Sequence, residues 1–295
     1  RRPFWRVLGG APSGGPGAAP WQSRLVRIMM EQTLVVRGSG GLSNRLQAVA
    51  GGIAYCLLTG RRLFVDWRDG LYSDDGGNVF PRYFDLEHVV AAPAIPLGGT
   101  VFPIFWETWL HEPVAVEYLF NNDHLRPDNY ARTSIDVSRL DYREDTLVAW
   151  APDMRLATAL APLMAERLPR FAGGDDNALF RILMTEYCRP KEDIACAVAA
   201  FATAHFKPGA TIGVHIRHTD LKSPIESFIR TLRAMPDLGD SVIYLTTDNR
   251  FVQQSLKRLF PNLVHTEKFF PADCAPLHSH FAETDNVRKG REVLI

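Results

Sequence analysis

From Gln32 onward the apolar positions fall into an alternating rhythm of strands and helices. Gln32–Arg37 (Gln-Thr-Leu-Val-Val-Arg) is a short, continuous apolar run, which predicts a buried strand. A glycine turn, Gly38-Ser-Gly-Gly41, follows. Leu42, Leu46, Val49, Ile53 and Leu57 then recur on one stripe, predicting a helix over Leu42–Leu58 that Thr59-Gly60 ends. Leu63–Val65 reads as the next strand. A strand, loop, helix and strand in this order predict a parallel sheet.

Residues 69–146 lose the rhythm. They are rich in Gly, Pro, aromatics and acids, as in Ser73-Asp-Asp-Gly-Gly-Asn78 and Phe102-Pro-Ile-Phe-Trp106, and read as irregular structure with short helices. Leu147–Trp150 predicts a strand, and Asp153–Arg167 and Lys191–His205 predict helices. A second βαβ rhythm then begins. Thr211–Ile216 is a strand, Pro224–Arg233 a helix, Val242–Leu245 a strand, Phe251–Phe260 a helix and Leu263–His265 a short strand. Two such units predict an α/β protein of two Rossmann-like domains facing a cleft. Residues 31–205 make the first domain and 206–295 the second.

Composition narrows the class. The 295 residues are 46% hydrophobic and 22% charged, ordinary values that exclude disorder, collagen or coiled coil as a description of the whole. Net charge is +0, which excludes a basic nucleic-acid scaffold. No apolar run approaches the ~18 residues of a membrane helix. Four cysteines without a C-x-x-C spacing fit a reducing, cytoplasmic compartment rather than a disulfide framework. The charge is uneven, since residues 1–28 hold five Arg and no acid, with four Pro and five Gly. Residues 1–30 are therefore expected to be an unstructured or non-native extension, and they lack the apolar core of a signal peptide. Arg291–Ile295 lies inside an amphipathic segment with no closing Gly or Pro, so the second domain is expected to be truncated, with exposed strand faces and poor solubility.

Three motifs carry chemistry. In Gly38-Ser-Gly-Gly-Leu-Ser-Asn-Arg45 the glycines let backbone N–H groups approach an anion at a helix N-terminus. A dinucleotide fingerprint would need a third glycine where Ser43 stands, although Asp66 does end the next strand. A plain tight turn, capped by Asn44 and Arg45, reads the same way. In Gly213-Val-His-Ile-Arg-His-Thr-Asp220, strand alternation puts Gly213, His215 and Arg217 on one face. Arg217 offers a planar fork suited to phosphate. An Arg–Asp pair holding a loop is the alternative. Tyr244-Leu-Thr-Thr-Asp-Asn249 ends a strand in hydroxyls and an acid, either at a ligand or with Asp248 as a helix N-cap. Cys274, His278 and His280 form an incomplete metal set, and no D-x-D is present, so no metal site is expected.

Taken together, these motifs resemble the fucosyltransferases of the α-1,6 and nodulation type, within the GDP-fucose-dependent fucosyltransferase superfamily. The likeness rests on Gly40-Gly-Leu-Ser-Asn-Arg45, on Arg61–Arg68 with its Asp-Trp-Arg, on His215, Arg217 and Asp220 as H-x-R-x-x-D, and on Leu245-Thr-Thr-Asp248. It runs from about residue 32 to the end. The resemblance implies a GT-B-like fold, GDP-fucose as donor, no metal or other cofactor, and inversion at the sugar. It also implies that Arg217 binds the β-phosphate and His215 lines the nucleotide pocket, with Gly40, Gly41, Asn44, Arg45, Gly213 and Asp248 also at the donor. The acceptor expected is a GlcNAc-containing oligosaccharide. Asp220 or Glu226 is the candidate base, within reach of the signature loop, and the loop from Asp220 to Pro224 is shorter than that of core-fucosylating relatives. The family's guanine-reading acid is expected just past Ile295. Two rivals remain on sequence grounds: an NAD-type dehydrogenase built on Gly38–Gly41 and Asp66, and a sugar-nucleotide or glycan-binding module without turnover.

Overall fold

A computed structural model describes residues 32–38, 40–113, 132–151, 155–172, 175–272, 276–277 and 285–295. Expectations for residues 1–30 and for Cys274, His278 and His280 lie outside the described residues. Residues 32–295 form one compact unit.

The first half is built on a four-stranded parallel sheet in the order β2-β1-β5-β4, comprising β1 (Thr33–Gly38), β2 (Arg62–Asp66), β4 (Val101–Phe102) and β5 (Thr146–Ala151). Every residue of β1 is buried. Alternation sends Leu34 and Val36 into one core and Val35 into another. The first core is closed by α1 (Leu42–Thr59), α4 (Arg155–Arg167) and α5 (Asp176–Tyr187). The second is closed by Ile95, Trp106 and Leu110, which belong to the region without rhythm. That region holds the one-turn helices α2 (Phe80–Tyr83) and α3 (Trp106–Trp109) and the strand β3 (Phe84–Leu86). β3 pairs antiparallel with β6 (Cys188–Pro190), a ladder that sequence pattern did not predict. Helix α5 was not predicted either. Helix α6 (Glu192–His205) leads to the second half.

There β7 (Thr211–Ile216), β8 (Val242–Thr247) and β9 (Leu263–Val264) form a parallel sheet in chain order, with β7 at one edge. Val214 and Ile216 point into a core with Ile229 and Leu232 of α7 (Ile225–Arg233) and Val252 and Leu256 of α8 (Arg250–Leu259). On the opposite face Gly213 and His215 are exposed, and Tyr244 packs against Phe201 and Phe206 at ring distances of 5.6 and 5.2 Å.

The last helix, α9 (Asn286–Leu294), joins the halves. Its own N-cap residue, Asp285, makes no side-chain cap bond. Asp74 supplies the cap instead, accepting from the Asn286 N–H at 2.7 Å and the Val287 N–H at 3.3 Å. Tyr83 lies so close to Gly290 that a Cβ there would stand 2.4 Å from its hydroxyl. From the other end, the Lys268 ammonium donates to Glu292 O at 2.5 Å.

Candidate donor site

The carboxyl ends of β7 and β8 are tied together by Asp248. Its carboxylate accepts from the His218 N–H at 2.6 Å and from the Thr219 hydroxyl at 2.5 Å. It therefore holds the loop after β7. Asn249, not Asp248, caps α8, accepting from the Val252 N–H at 3.1 Å. The cap reading drawn for Asp248 is thus corrected: the residue shapes the signature loop.

Arg217 meets Asp220 edge to edge. Arg217 Nε donates to Asp220 Oδ1 at 2.6 Å, and NH2 donates to Oδ2. Arg217 is 43% exposed and Asp220 30%. The loop-holding pair therefore forms, but at the surface. Hydrogen bonding from Arg217 holds the Asp220 carboxyl below the usual carboxylate range, and the same bond raises the guanidinium. A base works best with a pKa near the operating pH, so this pairing weakens Asp220 in that role. Glu226 stands exposed in the first turn of α7. Beside Arg217, the ring of His218 has Nδ1 buried without a hydrogen-bond partner among the described residues. Sequence reading passed over His218 and Thr219, although both lie inside the motif.

The glycine turn is held from beneath. Gly40 adopts φ +69°, a conformation that favours glycine. Gly41 precedes α1 with no side-chain cap and no acid in the first turn, so the helix start is open to an anion. Asn44 is half-buried at that turn. Arg45, expected at the donor, is completely buried. Its Nε donates to Gly40 O at 2.9 Å and its NH2 meets Asp69, so it shapes the turn from inside. Asp69 was missed in the sequence because a residue 24 positions downstream carries no local signal.

The Asp-Trp-Arg motif has a structural answer. Asp66 is fully buried, 3.1 Å from Arg37 and bound by both Arg68 Nε and NH2 at 2.8 and 2.9 Å. Arg37 in turn donates to Leu110 O at 2.5 Å and Glu112 O at 3.0 Å, and Arg68 to His111 O at 2.8 Å. The acid that a dehydrogenase would need for a ribose is committed to two guanidiniums and holds the 110–112 segment. The dehydrogenase reading fails on this point. Among the described residues no three His, Cys, Asp or Glu are grouped to hold a metal, and no helix is long and apolar enough to cross a membrane.

No family model matches the chain. Against curated proteins it is 26% identical over 276 residues to nodulation protein Z of Sinorhizobium fredii, covering 85% of this chain and 79% of that one. The chain is similar to nodulation protein Z over most of its length. Among solved structures, NodZ α-1,6-fucosyltransferase co-crystallised with GDP superposes with a TM-score of 0.61 at 22% identity, covering 90% of this chain and 83% of that one. The same enzyme soaked with GDP-fucose gives 0.61 at 21% identity, covering 90% and 83%. The fold is accordingly the GT-B-like α/β fold expected from the NodZ resemblance.

Proposed function

We propose that the protein is a glycosyltransferase that transfers fucose from GDP-fucose to a GlcNAc-containing oligosaccharide, with inversion and without a metal. The observation that carries this reading is the partly exposed Arg217 guanidinium at the end of β7, in a chain similar over most of its length to nodulation protein Z. Asp220 engages the Nε and NH2 edge, which orients the guanidinium and leaves its NH1 edge for a phosphate oxygen. Negative charge grows on the β-phosphate as the anomeric bond breaks. A fixed Arg217 then stabilises the transition state more than the ground state. Gly40, Gly41 and Asn44 present the α1 N-terminus to the diphosphate, and Gly213 and His215 form the bare strand face beside it. Glu226 takes the acceptor proton. The reaction belongs in the cytoplasm, where the nucleotide sugar would be supplied.

Arg217→Ala should weaken GDP binding by about 1.5–3 kcal/mol in calorimetry while the fold persists. Arg217→Lys should restore only part of it, because a point charge lacks the fork. Turnover of GDP-fucose on chitooligosaccharide should survive EDTA and be lost in Glu226→Gln with GDP binding intact. Unchanged GDP affinity in Arg217→Ala would overturn the donor role. GDP binding without any turnover would favour the sugar-nucleotide-binding module.

A further inference from the structure

Lys289 is a lysine with no exposed surface at all, carried by α9 from the second half into the first. Its ammonium donates to Asn286 Oδ1 at 3.0 Å on its own helix and lies 5.5 Å from the Tyr72 ring. The Arg45 guanidinium lies 5.0 Å from the same ring and meets Asp69, while Asp74 caps the helix at Asn286; the two carboxylates attract the ammonium and Arg45 repels it. Tyr83 of α2 closes the same region through Gly290. Asp69 is also the partner of Arg45, whose Nε holds Gly40 O. A continuous set of groups therefore runs from α9 to the underside of the glycine turn.

We infer that Lys289 is a positioning residue for the donor: by balancing Asp69 and Asp74 it keeps Arg45 on Gly40 O, and so keeps the glycine turn shaped for a diphosphate. This rests on the proposed function of that turn. Without the ammonium, Asp69 and Asp74 would lose a compensating charge. Uncompensated negative charge would then lie beneath an anion site and act on the Arg45 guanidinium that holds Gly40 O.

A merely structural role fits poorly with the energetics. Burial pushes the Lys289 pKa down to about 8, against attraction from Asp69 and Asp74 and with repulsion from Arg45. A lysine whose folded pKa lies below its unfolded value of 10.5 is a cost at neutral pH. That cost is relieved as pH rises from about 8, because the unfolded chain then holds more protons than the folded one. An apolar side chain of similar length would fill the space without this cost.

The test compares wild type with Lys289→Met by GDP calorimetry and urea unfolding at about pH 7 and about pH 9. At the lower pH the variant should bind GDP about tenfold more weakly, with unfolding stability equal to or above wild type. Wild-type affinity should fall toward that of the variant as the pH passes about 8. Equal GDP affinity in the two proteins, or a difference that persists unchanged at the higher pH, overturns the inference. If the variant does not fold, the wild-type pH profile decides, and a flat profile overturns it. Wild type that binds no GDP at either pH removes the proposed function itself, and the inference with it.

Discussion

Strands β1 and β7 are each six residues long and parallel, and each is followed within a residue or two by a turn that carries polar chemistry. Both end near an arginine paired with an aspartate. In β1 the pair is Arg37–Asp66, with neither side chain exposed; after β7 it is Arg217–Asp220, 43% and 30% exposed. The difference follows from sheet position. β1 is flanked by β2 and β5 and covered on both faces, so its arginine is surrounded by fixed carbonyls. β7 is an edge strand that leaves Gly213 and His215 exposed, and its arginine stands partly exposed at the strand end. Equal residue types thus serve cohesion at the centre of one sheet and, under the proposed function, recognition at the edge of the other.

Substitutions at the two aspartates should separate these roles. Asp66→Ala leaves Arg37 buried without its carboxylate and should cost about 3–5 kcal/mol of unfolding free energy, the range for breaking a buried pair. A loss below about 1 kcal/mol would erase the contrast. Gly290→Ala tests the contact between halves. The new methyl group would collide with Tyr83, and overpacking of this kind costs about 1–3 kcal/mol. Asp220→Ala should have the smallest effect on stability, under about 1 kcal/mol, as exposed pairs do. Because the Asp220 pKa is depressed, that small contribution is present at neutral pH and disappears only as the pH falls through its lowered value. The wild-type minus variant difference across an acid titration measures it.

How far the sequence was legible follows the same division. The strand over Thr211–Ile216 and the helix starting at Leu42 were predictable because continuous apolar runs and a wide stripe are local signals. Helix α5 buries only Leu179, Leu183 and Tyr187, one residue per turn, and its narrow stripe was overlooked despite the Asp175 cap. β3 and β6 are three residues each and pair across about 100 positions, so neither has a local pattern. At the site, the spacing of His215, Arg217 and Asp220 could be read from strand alternation. The inward turn of Arg45 could not, because it depends on Asp69, and the burial of Lys289 depends on residues more than 200 positions away.

The cap that Asp74 places on α9 spans 212 positions of chain. An isolated helix of nine residues is too short to hold itself together, since nucleation is unfavourable below about 12–15 residues. This helix therefore owes its order to docking on the first half, which offers the carboxylate. Contacts of such long sequence separation form late, because the intervening loop must be closed before they reward it. The glycine-turn half is thus the template on which α9 docks, and the helix in turn latches the two halves together.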